Sequence, residues 1–275
     1  MVNSLYHYCS LETFLKIVES KEIWLTNIFS MNDSAELRWL LDVAKRILDR
    51  QPDMPDERRT FLESELSRRK EETDLYCFCM SEHGDLLSQW RAYADDGRGV
   101  AIGLSRQYLL AAEREYENSG LQLECVEYRL PEQEKLVQRR IEEVLQDAPA
   151  PAGSSPTELT RDLPEQIALS RIWSDAARCK NPFFHEEKEV RLIYEARSVC
   201  RPNLGQRKYR AHEGELIPYH VLSLFREYEY PPIYDIALGP KCIGEYNESR
   251  VKQVLSDNGY NVEYLDVWRS EGTLQ

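Results

Sequence analysis

The first 27 residues constrain the fold more than any other part of the chain. Residues 5–8 predict a short strand, and Ser10 is placed to cap a helix over 11–20. The helix is predicted from four apolar residues that recur at helical spacing, namely Leu11, Phe14, Leu15 and Val18. Residues 23–27 then predict a second strand. Strand, capped helix and strand in this order predict helices that pack on a sheet.

The rest of the chain continues this mixture of strands and helices. Strands are predicted in the second half of 181–196 and at 75–80, 100–104, 121–130, 215–223, 233–238 and 261–267. Helices are predicted after the polar turn at 29–36, around 86–94, after Ser105, at 131–146, around 158–178 and at 246–258. We expect one α+β domain over 1–275, with a mixed or antiparallel central sheet and flanking helices. A charged helical insertion is expected at about 51–72, and a second one, with a flexible loop, at about 131–178.

The composition excludes some functions. The chain has 275 residues, and 48 acidic against 35 basic side chains give a net charge of −13. A protein that coats nucleic acid needs a basic face, so that function is not expected. No apolar run approaches the roughly 18 residues of a membrane span, and the N-terminal residues lack the regions of a signal peptide. With seven cysteines, an odd number, we expect reduced thiols and a cytoplasmic protein.

A short charged motif is the most distinctive candidate site. Glu187, Glu189 and Arg191 alternate along a predicted strand, so their side chains would share one face. One glutamate could polarise a hydroxyl group or stabilise a cationic transition state, and the arginine could hold a phosphate. A strand face exposed to solvent would produce the same alternation, so both interpretations stay open.

A second candidate lies between Trp90 and Gly99. Arg91 and Arg98, beside tandem glycines, offer charge and backbone N–H groups to an anion, although the pattern is neither a P-loop nor a dinucleotide fingerprint. Trp90 and Tyr93 are three residues apart on a helix, where they could pack in the core or form a stacking platform. A glycine turn that enters a strand would explain the segment as well.

Two smaller features also have structural and functional explanations. In the polar turn, Asn32 or Asp33 can cap a helix. Glu36 would then lie at the positive end of the helix dipole, where a carboxylate is stabilising. His7 lies between two tyrosines on the first strand, where a histidine is usually a hydrogen-bonded structural residue. No set of cysteines and histidines has the spacing of zinc ligands, so we expect no structural metal.

Several segments together carry a family resemblance. They are LYHYCS, FSMNDSAE, YCFCMSEHGDLLSQWRAYADDGRGVAIGL, HEEKEVRLIY and IYDIALGPKC. They resemble the bacterial family known as domain of unknown function 2971, which has an Asn-Asp-x-x-Glu turn and Cys-Phe-Ser, Trp-x-x-Tyr-Ala-Asp, Glu-x-Glu-x-Arg and Ile-x-Gly-Pro elements. The resemblance covers about residues 5–242. Cys79 stands at the serine of Cys-Phe-Ser, and Phe184 stands where the family has an aromatic residue. The family name implies no activity.

A second resemblance does imply an activity. The order of elements, from a first strand with a histidine to a late strand with a glutamate, is similar to that of ADP-ribosyltransferase-like domains. The resemblance implies that His7 holds the nicotinamide ribose of NAD and that Tyr93 stacks on it. Glu189 would stabilise an oxocarbenium-like transition state, and Glu187 would orient the acceptor. The remaining residues expected at the nucleotide are Arg191, Arg91, Arg98, Trp90, Asn32 and Glu36. A role in bacterial phage defence or as a toxin is implied too.

Two other functions stay open at this point. The same residues could form a buried polar network in a non-catalytic module that binds a protein partner, for example in a toxin–antitoxin pair. Alternatively, Asp33, Glu36, Glu187 and Glu189 could surround a divalent cation in a nuclease or phosphoesterase. We therefore expect a nucleotide or NAD-like ligand in the first case and a protein partner or metal ion in the others.

Overall fold

A computed structural model describes most of the chain. The described residues are 4–31, 34–51, 59–60, 63, 74–146, 171–196, 203–245 and 247–272. The chain divides into two compact units, the first made of 1–26, 76–125 and 186–275 and the second of 27–75 and 126–185. The two expected insertions both belong to the second unit. Most of the charged insertion and the whole loop at 147–157 lie outside the described residues.

Ten strands form one mixed sheet. They are β1 (Ser4–Cys9), β2 (Glu22–Asn27), β3 (Leu75–Ser81), β4 (Val100–Ser105), β5 (Leu121–Cys125), β6 (Glu189–Glu195), β7 (Lys208–His212), β8 (Glu215–Ser223), β9 (Ile233–Leu238) and β10 (Asp266–Arg269). The main path runs β10-β9-β4-β1-β3-β2-β8-β7, and β6 pairs with β3 and β5. β9 and β10 are parallel, whereas β1–β4, β4–β9, β2–β8, β5–β6 and β7–β8 are antiparallel. The predicted α+β class with a mixed sheet is confirmed.

The helices follow the predicted pattern. They are α1 (Leu11–Ser20), α2 (Ser34–Asp49), α3 (Leu87–Tyr93), α4 (Arg106–Tyr116), α5 (Leu130–Gln146) and α6 (Asn247–Asp257), and residues 171–176 are also helical. The Ser10 hydroxyl accepts a hydrogen bond from the Thr13 backbone N–H, and the Ser105 hydroxyl accepts one from Tyr108, so both predicted caps are confirmed. Within the described part of the chain, no helix is long and apolar enough to span a membrane.

The two faces of the sheet differ in what they bury. The main hydrophobic core includes Leu5 and Cys9 of β1, Phe78 of β3 and Val190 of β6. A smaller cluster contains five buried residues from the opposite face and the adjacent helix, namely Tyr8, Trp90, Ala94, Ala101 and Ala237. Because successive strand residues point to opposite sides, the core-side face also carries His7. The opposite face, which we call the second face, carries Tyr6, Tyr8, Cys77, Cys79, Glu189 and Arg191.

Three strand predictions need correction. β5 ends at Cys125 rather than at 130, because the backbone of Glu127 instead bonds to Arg178 and Lys180. The last strand is Asp266–Arg269 rather than 261–267, since its register is set by pairing with β9. β7 was not predicted, although its Lys-Tyr-Arg-Ala-His alternates polar and apolar residues, because the run is only five residues long and is mostly exposed.

Candidate functional site

The first residues of β6 contain a buried ion pair. The Arg191 Nε donates to Glu189 Oε1 at 2.7 Å, and Arg191 Nη2 donates to Glu189 Oε2 at 3.0 Å. Glu189 is only 8% exposed and Arg191 only 3% exposed. Such a two-pronged contact fixes the plane of the carboxylate as well as its position. The predicted sharing of one strand face by Glu189 and Arg191 follows from their spacing of two along β6.

Glu187 does not lie on that strand face. It ends a 3-10 helix over Pro182–Glu187, and Lys188 then adopts a positive φ of 46°. The Glu187 carbonyl accepts a hydrogen bond from the Ser81 hydroxyl at 2.6 Å, and the Lys188 carbonyl accepts one from the Glu82 backbone at 2.9 Å. The left-handed residue breaks the alternation, so the expected Glu-x-Glu of a strand is one glutamate before the strand and one at its start.

A further carboxylate lies beside Arg191, and the sequence reasoning missed it. In the register of β5 and β6, Glu124 is paired with Arg191. Paired residues of antiparallel strands project to the same face, with Cβ atoms about 5 Å apart. Arg191 therefore has Glu189 on its own strand and Glu124 on the neighbouring one. Burial opposes the charge on Arg191, but the carboxylate of Glu189 prevails and raises the pKa of the guanidinium well above its usual range.

Two thiols of β3 share the second face with this ion pair. Cys77 Sγ and Cys79 Sγ are 4.0 Å apart. The contact with Cys77, together with burial, raises the pKa of the Cys79 thiol well above its usual value. Cys79 also interacts electrostatically with Glu189, which acts in the same direction, and with Arg191, which opposes it. Cys79 is therefore a neutral thiol adjacent to a charged pair.

His7 meets the same strand from the other face of the sheet. Its Nδ1 lies 2.9 Å from the Cys79 carbonyl oxygen, and its ring lies 4.2 Å from the ring of Phe78. Because a carbonyl oxygen can only accept, the proton lies on Nδ1, and Nε2 is an acceptor in the neutral ring. Burial lowers the pKa of His7, and the bond to Cys79 opposes this shift without reversing it. The imidazole is neutral at pH 7.

The structure separates the residues predicted around α3. Trp90 is buried to 1% exposure, its Nε1 donates to Asp85 at 2.7 Å, and its ring packs edge-on against Tyr8 at 4.7 Å. Trp90 is thus a core residue of the second face. Tyr93, which is 46% exposed, and Arg91 are at the surface. The four side chains Trp90, Arg91, Tyr93 and Arg98 do not converge on one buried point.

In the turn after α3, the backbone N–H groups donate hydrogen bonds to carbonyl groups of the same turn. The N–H groups of Gly97 and Gly99 donate to the Ala94 carbonyl, at 3.0 and 2.9 Å, and that of Arg98 donates to Asp95 at 3.1 Å. A Cβ at Gly99 would lie 2.1 Å from the Cys9 carbonyl oxygen, so only glycine fits there. These contacts account for the glycines as parts of a tight turn. The Arg98 side chain is exposed and lies 3.5 Å from Asp95.

The predicted turn around residue 32 is only partly described. Asn32 and Asp33 lie outside the described residues, and Glu36 is described only as a backbone position in the first turn of α2. The assignment of Asn32 and Glu36 to nucleotide binding stays a prediction. In the described part of the chain, no group of three or more His, Cys, Asp or Glu side chains could hold a metal ion.

A second polar cluster on the second face also escaped the sequence reasoning. Asp235 accepts hydrogen bonds from Ser4 at 2.6 Å, from Trp268 at 3.4 Å and from Tyr6 at 3.5 Å. Burial raises the pKa of Asp235, and the hydrogen bonds oppose that shift. A Cβ at Gly103 would meet the Asp235 carboxylate at 2.6 Å, so the glycine makes room for it. No local motif surrounds Asp235, so no sequence signal could have identified the cluster.

The fold and the site together define the class of the protein. It is an α+β protein with a mixed ten-stranded sheet and a buried carboxylate–guanidinium pair at the start of one strand. Residues 89–192 match the model of a family described as a protein of unknown function (DUF2971). The resemblance is confirmed over these residues, which include Trp90, Tyr93, Glu187, Glu189 and Arg191; the motifs before and after lie outside the match. No curated protein and no solved structure matches the chain.

Proposed function

We propose that the protein is an NAD-dependent ADP-ribosyltransferase-like enzyme, with Glu189 as its central residue. The observation that carries this proposal is the buried carboxylate of Glu189, which Arg191 holds through two hydrogen bonds. His7, to which the resemblance also assigns the ribose, lies on the other face of the sheet and contacts β3 through the Cys79 carbonyl. The proposal therefore assigns the ribose to Glu189 on the second face.

Glu189 retains the capacity to act on a ligand although Arg191 holds it. A carboxylate offers about four acceptor positions, more than the two that the bidentate contact with a guanidinium uses. In the proposed reaction a ribose hydroxyl donates to one of the Glu189 oxygens. Arg191 keeps the carboxylate ionised and aligned, which favours a positive charge developing on the adjacent ribose.

His7 is a positioning residue in this proposal rather than a ligand of the ribose. Its Nδ1–H donates to the Cys79 carbonyl from the face of the sheet opposite to Glu189. Burial lowers the pKa of His7, which keeps the ring neutral at pH 7. The predicted contact of His7 with the ribose is therefore not part of the proposed site.

The proposed reaction needs no redox step. The bond between ribose C1′ and the nicotinamide nitrogen breaks, and its electron pair leaves with nicotinamide. C1′ then bonds to a nucleophile of the acceptor, which loses its proton; with water as the acceptor, the products are ADP-ribose and nicotinamide. Arg91 and Arg98 are the proposed ligands of the pyrophosphate, Tyr93 is the proposed stacking residue, and Glu187 is proposed to orient the acceptor. The proposed setting is the cytoplasm, in a bacterial defence or toxin system.

The burial of the ion pair favours a second candidate function. Glu189 and Arg191 are almost fully buried and satisfy each other, as in a polar network that fixes a fold. In that case the protein is a non-catalytic module, and its ligand or protein partner binds elsewhere. The two functions differ in whether nicotinamide is released.

The test is the release of nicotinamide from NAD, followed by chromatography, together with calorimetric titration of NAD. We expect saturable binding and slow release by the wild type. Glu189→Gln should lower the release rate by about 100-fold, the usual effect of removing one electrostatic contact to a transition state. His7→Gln, which can act on the site only through the Cys79 backbone, should lower the release rate much less than Glu189→Gln. Glu195→Gln, at the other end of β6, is the matched control and should change the rate less than twofold.

Two results would contradict the proposal. If the wild type neither binds NAD nor releases nicotinamide, the non-catalytic module is the better description. If Glu189→Gln remains folded, as judged by circular dichroism, and releases nicotinamide at the wild-type rate, Glu189 is not catalytic. Nicotinamide release by the wild type tests the proposed activity even if Glu189→Gln unfolds.

A further inference from the structure

The strand β7 forms an edge of the sheet. It pairs with β8 from Lys208 opposite Tyr219 to His212 opposite Glu215. In the part of the chain that the structure describes, no strand pairs with its other side. Four of its five residues are exposed. An exposed edge presents unpaired backbone N–H and C=O groups, to which another extended chain can bond.

The two faces of the strand β7 carry different side chains. On one face, β7 places Lys208, Arg210 and His212 in a row. The other face is apolar and continues from β7 onto β8, with Tyr209, Ala211, Leu216 and Pro218 as its residues. Tyr209 is 55% exposed and Leu216 is 74% exposed. An exposed leucine and tyrosine on paired strands are typical of a surface that a partner covers.

The charge at this edge contrasts with that of the whole chain. The net charge of the chain is −13, yet β7 carries Lys208 and Arg210 and is preceded by Arg207. Lys208 Nζ lies 3.8 Å from Glu22, whereas Arg210 has no ion-pair partner among the described residues. The acidic residues of the hairpin, Glu213 and Glu215, lie at its turn and at the start of β8.

This charge pattern argues against a second copy of the chain as the occupant. Antiparallel pairing of two β7 strands about their centre would place Arg210 opposite Arg210 and Lys208 opposite His212. Like charges directly opposite each other destabilise a strand pair. A partner strand of opposite charge does not have this cost.

We propose that the β7 edge binds an extended segment of a partner protein in which acidic and apolar side chains alternate. The segment adds a strand to the sheet, so its backbone bonds to that of β7. Its acidic side chains then lie beside Lys208 and Arg210, and its apolar side chains cover Tyr209 and Leu216. This surface does not involve Glu189 or His7, so the inference is independent of the proposed enzymatic function.

The test uses an eight-residue peptide of alternating glutamate and valine, titrated into the full chain by calorimetry at low salt. We expect saturable binding and slower hydrogen exchange of the amides in 208–212. Lys208→Glu/Arg210→Glu should weaken binding about tenfold or more, because two attractive charges become repulsive. A peptide with lysine in place of glutamate should restore binding to this variant. A peptide with two central prolines should not bind, since proline cannot continue the ladder.

The matched control is Lys252→Glu, which reverses an exposed charge on α6. It should leave the affinity unchanged within twofold. The inference is overturned if the glutamate–valine peptide does not bind, if exchange slows outside β7 only, or if Lys252→Glu weakens binding as much as the double reversal. Failure of the lysine peptide to rescue the double variant would also overturn it.

Discussion

Arg191 forms a bidentate ion pair with Glu189, which lies two residues before it on the same strand. Its Nε and Nη2 meet the two carboxylate oxygens at 2.7 and 3.0 Å, and both side chains are buried. A contact between residues i and i+2 of one strand is local in sequence, yet it needs a buried face to matter energetically. Glu124, opposite Arg191 on β5, extends the charged group across two strands.

The pair should respond cooperatively to mutation. Glu189→Gln and Arg191→Gln each leave one buried charge without its partner, which should lower the free energy of unfolding by roughly 3 kcal/mol or more. The double variant leaves neither charge and should cost less than the sum of the single variants. Urea unfolding of the four proteins measures the coupling. Additive losses would show that the two side chains do not stabilise each other.

His7 should make the folded protein sensitive to mild acid. Because its pKa is lowered in the folded state, the unfolded chain binds more protons near and below the unfolded pKa of about 6.5. The contribution of His7 to stability is therefore lost as the pH falls through that value. Urea unfolding at pH 7.5 and 5.5 should show a larger loss for the wild type than for His7→Gln. Equal losses would mean that His7 titrates alike in both states.

Asp235 should have the opposite pH dependence. Its pKa is raised in the folded state, so the folded protein binds more protons than the unfolded chain above the unfolded pKa of about 3.9. Between the unfolded pKa and the raised folded pKa of Asp235, a fall in pH therefore increases the free energy of unfolding. The difference in unfolding free energy between the wild type and Asp235→Asn should shift in favour of the wild type as the pH falls from 7 to 4. A difference that is constant over this range would contradict the raised pKa.

Gly99 should tolerate no side chain. Gly99→Ala places a Cβ 2.1 Å from the Cys9 carbonyl oxygen, so β1 and the turn must move apart, at a cost of about 1–3 kcal/mol. Gly272→Ala meets only the Ser270 hydroxyl, at 3.1 Å, and should change stability by less than about 0.5 kcal/mol. Thermal unfolding of both variants provides the comparison. If Gly99→Ala matches the control, the turn is more adaptable than its packing indicates.

Features that depend on neighbouring residues could be predicted from the sequence. β1, α1 and β2 follow from apolar spacing over short windows, and the caps at Ser10 and Ser105 follow from single residues. The pairing of Glu189 with Arg191 also follows from strand alternation. Alternation failed at Glu187 for a local conformational reason. The positive φ of Lys188 interrupts the extended backbone, so the strand begins only at Glu189.

Features that depend on strand pairing required the tertiary structure. The hydrogen bond from Ser4 to Asp235 joins residues 231 positions apart, and the contact of His7 with Cys79 joins residues 72 positions apart. Local spacing specifies which face a side chain occupies, but not which strand lies next to it. That choice is made when the whole sheet buries its apolar face, because only then do distant strands acquire a register. The sequence therefore determined the elements and the candidate residues, whereas folding of the sheet decided which of them meet.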